Sequence, residues 1–249
     1  MLFIGDYHTH SEYSHGKGKL RLNIEKAIQR DLKELAITDH GPATWNFIKL
    51  GVKKVEELLE IKDKVYTLQS EYPQIKLYSG VEANIIDTEG NLDVPEKILR
   101  ALDIVAVGFH LLIIPDSLLA AKKIILDNRY IYKYIKRKRE EIRKSNTEII
   151  IKSVKKNRPN FITHPGYKID IDTYNLANVC AKSGTYLEIN TRHGMKTKDY
   201  IREAAKSDVR FIVNSDAHSP KEVGELDLGY KLISDLDISH DRIVNIVKK

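Results

Sequence analysis

The sequence predicts an α/β protein in which seven parallel strands close into a TIM-like (β/α) barrel. Three observations carry this. Seven short β-rich runs alternate with helical patterns along the 249 residues, and successive parallel strands need right-handed crossovers of that kind. Each run ends in a histidine, a carboxylate or another polar residue suited to a site. Those residues are spread over more than 200 positions. Only a closed barrel opens all its strand ends on one face, whereas an open doubly wound sheet would string them along an edge.

The first strand, 2–5, runs into Asp6-Tyr-His8-Thr-His10. Strand alternation sets His8 and His10 on one side and turns Tyr7 and Thr9 away. His15 comes later in the same loop. A helix at 24–30, capped by Asn23, leads to strand 34–38 and then Asp39-His40. A helix at 55–70 precedes strand 76–79, which is followed by Gly80-Val-Glu82. Pro95 suits the first turn of a helix at 95–101, ahead of strand 104–108 and Phe109-His110. A long helical stretch at 117–156 precedes strand 160–163 and His164-Pro-Gly. Asp172 caps a helix at 173–183, and strand 185–189 passes into Glu188-Ile-Asn-Thr-Arg192. A helix at 198–206 leads to strand 210–214 and Asp216-Ala-His218, and helices at 226–236 and 239–247 finish the pattern.

Nine residues at these stations are candidate metal ligands: His8, His10, His15, His40, Glu82, His110, His164, Asp216 and His218. Imidazole and carboxylate are the usual ligands of zinc, manganese or iron, and so many of them imply more than one divalent ion. A lone His-x-His pair is a weak signal; the full set is not. His193 and His240 stand outside it. Asp6 and Asp39, each beside ligands, are expected to fix imidazole tautomers or, equally, to bond backbone. The chain has no Gly-x-Ser-x-Gly elbow and no glycine-rich phosphate loop, so acyl-enzyme and P-loop chemistry find no support.

Composition narrows the class. With 42% hydrophobic and 31% charged residues the chain reads as globular rather than disordered. No apolar run approaches the ~18 residues of a membrane span, and the start lacks a basic stretch followed by an apolar one. A cytoplasmic protein without a membrane partner is expected. The single cysteine, Cys180, falls in a helical pattern and reads as a buried, inert thiol. The net charge of +6 is concentrated: residues 121–160 hold 14 Lys and Arg against 4 Asp and Glu. That segment is either a solvated helix face or a basic rim attracting phosphates or nucleic acid, with Arg129, Arg137 and Arg139 as candidates. No heptad run or apolar stripe names an oligomer interface.

The segments DYHTHSEYSHG, TDHGP, GVEANI, GFH, THPG and NSDAHS resemble the motifs of the polymerase and histidinol phosphatase (PHP) superfamily, and within it the short phosphatases with a trinuclear metal centre. The likeness runs from Asp6 to about Gly224. It implies a distorted seven-stranded barrel as a single domain over 1–249, three divalent ions, zinc foremost with manganese or iron as alternatives, and hydrolysis of phosphate esters. Carried over by residue, it puts one ion on His8, His10, Glu82 and Asp216. Glu82 bridges to a second ion, also held by His110 and His164, and His15, His40 and His218 hold a third. The segment 111–158 is a longer, more basic helical insertion than compact members have, and a lid over the mouth is one expectation for it. The function implied is attack of a metal-bound hydroxide on a small phosphorylated metabolite, with Glu82 and Asp216 at the ions and Arg192 on the phosphate. Histidinol phosphate is one candidate substrate. The alternative is a metal-dependent nuclease acting on nucleic acid ends.

Overall fold

In a computed structural model, which describes residues 3–44 and 50–247, seven strands form one parallel sheet in chain order. They are β1 (Gly5–Asp6), β2 (Glu34–Ile37), β3 (Lys76–Asn84), β4 (Ile104–Gly108), β5 (Phe161–Ile162), β6 (Tyr186–Asn190) and β7 (Phe211–Asn214). Leu2, where the first strand was expected to begin, lies outside the described residues. The crossovers carry α1 (Leu20–Gln29), α2 (Glu57–Glu71), α3 (Glu96–Leu99), α4 (Leu118–Ala120), α5 (Tyr132–Tyr134), α6 (Arg139–Asn157), α7 (Thr173–Ser183) and α8 (Gly194–Ala205); α9 (Asp227–Asp235) comes after β7. The result is a distorted (β/α) barrel of seven strands. Among the described residues no helix is long and apolar enough to cross a membrane.

Alternation along each strand divides core from interior. Val81 and Ala83 of β3, Val107 of β4, Leu187 and Ile189 of β6, and Phe211 and Val213 of β7 pack outward on the helices. Ala106, Phe161 and Ile212 form a separate small cluster with Tyr7. Cys180 is fully buried, and burial pushes its thiol up to about 12.

The barrel closes through side chains as much as through strands. The segments just past β1 and β7 meet in a parallel bridge between Thr9 and Ala217, with the His10 amide donating to the Ala217 carbonyl at 2.8 Å. Lower down, Asn245 fills the seam: its Nδ2 donates to the carbonyls of Gly5 at 2.9 Å and Val213 at 2.7 Å, and its Oδ1 accepts from the Val213 amide at 3.0 Å. This corrects the helix expected at 239–247. Only a 3-10 turn forms (His240–Arg242), and the chain then runs along the barrel, bridging Ile243 to Phe211 and Ile246 to Phe3. The unpaired edges of β1 and β7 outcompete local helix propensity.

Several other elements differ from expectation, α8 among them, which begins at Gly194 rather than at 198. β3 extends five residues past Ser79, because Lys76–Ser79 pair with β2 while Gly80–Asn84 pair with β4; Glu82 thus lies inside a strand. α1 begins at Leu20, so Asn23 is no cap. It is buried, and its Nδ2 donates to the His10 carbonyl at 3.0 Å. The stretch expected as one helix at 117–156 continues from α4 as a π-helix (Ala121–Ile131) into α5, breaks at Ile135, and resumes through a 3-10 turn (Lys136–Lys138) into α6. Asp172 does cap α7, accepting from the Asn175 amide at 3.1 Å. Pro95 is the N-cap residue of α3, one position before its first turn.

Candidate metal centre

All nine expected ligand residues come to the mouth of the barrel. His8 and His10 leave β1 on one side; Tyr7 turns away to donate to Glu34 at 2.5 Å, and Thr9 to the Ala36 carbonyl at 2.7 Å. Glu82 points inward from β3, His15 lies farther along the loop after β1, and the remaining five sit just past the ends of β2, β4, β5 and β7. His164 and Asp216 have φ of 28° and 55°, a strained backbone that non-glycine residues keep where their surroundings fix it.

Four ligand atoms meet at the centre. His8 Nε2 lies 3.2 Å from His10 Nε2, 3.2 Å from Glu82 Oε2 and 3.7 Å from Asp216 Oδ1; His10 Nε2 lies 3.6 Å and 3.3 Å from the same two oxygens. Tetrahedral ligands at the ~2.1 Å usual for zinc stand ~3.4 Å apart, so these atoms fit one divalent ion. The other oxygen of Glu82, Oε1, is 3.2 Å from His110 Nε2 and 3.1 Å from His164 Nε2, which are 3.3 Å from each other. Three ligands with an open side suit a second ion.

A third group is looser. Ring nitrogens of His10, His40 and His218 come within 4.8 Å of one another, and His40 Nδ1 is 2.9 Å from Glu82 Oε2. The tightest third set thus contains His10 where the resemblance has His15. The His15 ring stands beside it, 5.0 Å from that of His40 and 4.2 Å from that of His218.

The chemistry of these atoms calls for cations. His10 Nδ1, His40 Nδ1 and Glu82 Oε2 are buried without a well-aligned hydrogen bond, the last two only facing each other at 2.9 Å, a costly state that bound metal would relieve. Burial alone would raise the Glu82 pKa, but His40, His8 and His110 around it hold the carboxyl well below the usual carboxylate range.

Orientation comes from a layer behind the ligands that no local sequence pattern assigns. Glu188 Oε1 lies 2.8 Å from His8 Nδ1, Asn84 Oδ1 2.7 Å from His110 Nδ1, and the Leu50 carbonyl 2.9 Å from His15 Nδ1. With Nδ1 as donor, each ring presents Nε2 as a lone pair to the cluster. Asp6 and Asp39 touch no imidazole. Asp39 accepts from the Ser11 amide at 2.7 Å and from the Ser11 and Ser14 hydroxyls; Asp6 accepts from the Ser215 and Gly224 amides at 3.1 Å and 2.9 Å. They brace the ligand loops instead.

The cluster forms the floor of an open cleft of about 820 Å³, with Phe109, Leu111, Leu112 and Ile169 as an apolar wall. Arg192 does not line it: its Nη1 donates to Glu222 at 3.2 Å and to the Asp216 carbonyl at 3.4 Å, so its charge is already paired. Arg129, Arg137 and Arg139 are exposed and do not line the cleft either. Among the lining residues outside the nine, His193 stacks on Tyr167 with ring centroids 3.7 Å apart, and its Nε2 lies 3.6 Å from Asp216 Oδ2. His240 is exposed.

Comparison with known proteins fits this geometry. A family model described as "PHP domain" matches residues 6–192. A protein of Acetivibrio thermocellus named "Probable phosphatase" is 30% identical over 260 residues, covering 98% of this chain and 92% of the relative. One of the same name from Tolumonas auensis is also 30% identical, over 98% of this chain and 90% of its own. Among solved structures, histidinol phosphate phosphatase from Lactococcus lactis subsp. lactis, complexed with zinc, L-histidinol and phosphate, superposes with a TM-score of 0.64 at 18% identity, covering 96% of this chain and 95% of its own. That likeness is one of fold.

Proposed function

The chain belongs to the PHP domain family, and from that premise we propose that it is a metal-dependent phosphatase that hydrolyses small phosphate monoesters. The observation that carries the reading is the convergence of His8, His10, Glu82 and Asp216 at the spacing of ligands around one ion, with Glu82 shared by a second set. On this reading His8, His10, Glu82 and Asp216 hold one ion, Glu82, His110 and His164 another, and His40 and His218, with His15 or His10, a third. Zinc is the first choice, supported by the zinc complex of the Lactococcus enzyme, with manganese or iron as alternatives. Ions bound there supply Lewis acidity toward phosphoryl oxygens and a water of lowered pKa.

The chain's own residues do the rest. Glu188 and Asn84 hold two imidazoles in register, and the Thr163 hydroxyl donates to Glu82 Oε1 at 2.7 Å. The wall of Phe109, Leu111, Leu112 and Ile169 keeps the alcohol half of a substrate away from bulk water. The names of the sequence relatives support a phosphatase, and the L-histidinol and phosphate of the Lactococcus complex make histidinol phosphate the first substrate to try. The 111–158 segment is an insertion within one domain, and a cytoplasmic location accords with the lone buried thiol.

Phosphate release from p-nitrophenyl phosphate, histidinol phosphate and a wider monoester panel tests the reading. Turnover that is lost on chelation and restored by zinc or manganese is expected; no hydrolysis of any monoester by fully metal-loaded protein would end it.

A further inference from the structure

Among the described residues Lys168 is the one lysine or arginine lining the cleft. It is exposed, its Nζ sits 4.8 Å over the Tyr167 ring, and it pairs with no carboxylate among the described residues. Arg192, the expected phosphate contact, is committed to Glu222. Among the described residues, an anion entering the cleft therefore meets Lys168 as the unpaired lining cation, with Lys196 behind it, 5.5 Å from the same Tyr167 ring.

The loop bearing Lys168 is held in an unusual shape. Lys168 has φ of 61° and Gly166 of 87°, and a Cβ at Gly166 would come within 2.3 Å of the Tyr200 ring. Strained backbone of this kind persists where its surroundings over-determine it, and here the bracing converges two residues on, at Asp170. Its carboxylate accepts from the hydroxyls of Tyr132 at 2.8 Å and Tyr200 at 3.0 Å, and its carbonyl accepts from Asn146 Nδ2 at 2.9 Å. Arg143 Nε donates to the next carbonyl, Ile171, at 3.3 Å. Tyr132, Arg143 and Asn146 all belong to the basic insertion, whose two halves are tied by the buried amide pair of Asn128 and Asn146, at 2.8 Å and 3.0 Å.

We propose that Lys168 is the side chain that contacts the substrate phosphate, and that the basic insertion serves the site as a brace, fixing the Lys168 loop through Asp170. The inference rests on the phosphatase reading above. The apolar wall also narrows the substrate, favouring a monoester whose alcohol carries no second anionic group. A further phosphate or carboxylate would lie desolvated against Phe109, Leu111 and Leu112.

The test is binding of inorganic phosphate to the metal-loaded protein, by calorimetry, together with steady-state kinetics. Lys168→Ala should weaken phosphate binding and raise KM roughly tenfold with a smaller change in kcat, as loss of a charged hydrogen bond does. Lys168→Arg should recover most of this. Tyr132→Phe, which removes one hydroxyl, should raise KM about two- to fivefold, with metal content unchanged. Unaltered phosphate affinity and KM in Lys168→Ala would overturn the proposal, and unaltered values in Tyr132→Phe would overturn the brace. If the wild type released phosphate from no monoester while Lys168→Ala still lost phosphate affinity, the phosphatase reading would fall and the anion site would stand.

Discussion

Glu188 Oε1 lies 2.8 Å from Nδ1 of His8, while its other oxygen accepts the His164 amide at 2.7 Å. One buried carboxylate thus orients a ligand of the central ion set and anchors the turn that carries a ligand of the second. Asn214 and Asn190 donate to its two oxygens, each at 3.0 Å, so it is fully paired. Burial would raise its pKa, but His8 keeps it lowered.

Replacing Glu188 with Ala should therefore weaken metal binding although it touches no ion site directly. Loss of such an orienting partner typically costs about 10–100-fold in metal affinity or activity. Chelator competition on the purified variant measures it, and an unchanged affinity would remove Glu188 from the site.

Glu82→Gln should be more severe, since this carboxylate faces both ion sets with its two oxygens. Bound metal per chain should fall, and turnover should drop by more than about 100-fold, with the circular dichroism spectrum retained. Asp216→Ala and His8→Ala should behave similarly.

In metal-free protein the imidazoles divide by environment. Burial holds His40 and His218 down to about 4 against the pull of Glu82 and Asp216 respectively. Their share of stability is present above the ordinary value of 6.5 and is lost as pH falls toward about 4, where the unfolded chain binds protons the fold refuses. Burial also opposes charge on His8 and His164, yet their carboxylate neighbours raise both. The contribution of His8 and His164 is complete below 6.5 and is lost as pH rises through their folded values. Side-chain nitrogen NMR at about pH 5.5 should find His40 and His218 neutral and His8 protonated. Uniform titration of all three near 6.5 would contradict this.

Much of the site was legible because barrel closure turns strand ends into a single address. Most of the nine candidate ligands could be picked out because they fall near the end of a predicted strand, without knowing how the strands pair. Features that pairing itself decides were hidden. Glu82 lies inside β3 because its pairing passes from β2 to β4 midway, and Glu188 reads as any polar strand residue until the closed barrel brings it to His8. Its place in the Glu188-Ile-Asn-Thr-Arg192 segment was the available signal. The pairing of Arg192 was hidden for the same reason: its neighbour Glu222 is 30 positions away, on a turn no local pattern connects to it. The terminal segment looked helical because nothing local reports an open barrel seam.

That seam makes its own prediction. Asn245 is buried, and Asn245→Ala would leave the Val213 amide and the Gly5 and Val213 carbonyls without their partner. A destabilisation of about 2–4 kcal/mol is expected, lowering Tm by roughly 4–16 °C in a chain of this size. A Tm within about one degree of wild type would show that the seam is held elsewhere.

The central claim is that distant imidazoles and carboxylates gather around divalent cations at the barrel mouth. A crystal structure of zinc-loaded protein, with anomalous scattering recorded at the zinc edge, tests it most directly. The account predicts peaks within ligand distance of His8, His10, Glu82 and Asp216, of Glu82, His110 and His164, and beside His40 and His218. A map with no peak at Glu82, or with zinc bound only away from the barrel mouth, would contradict it.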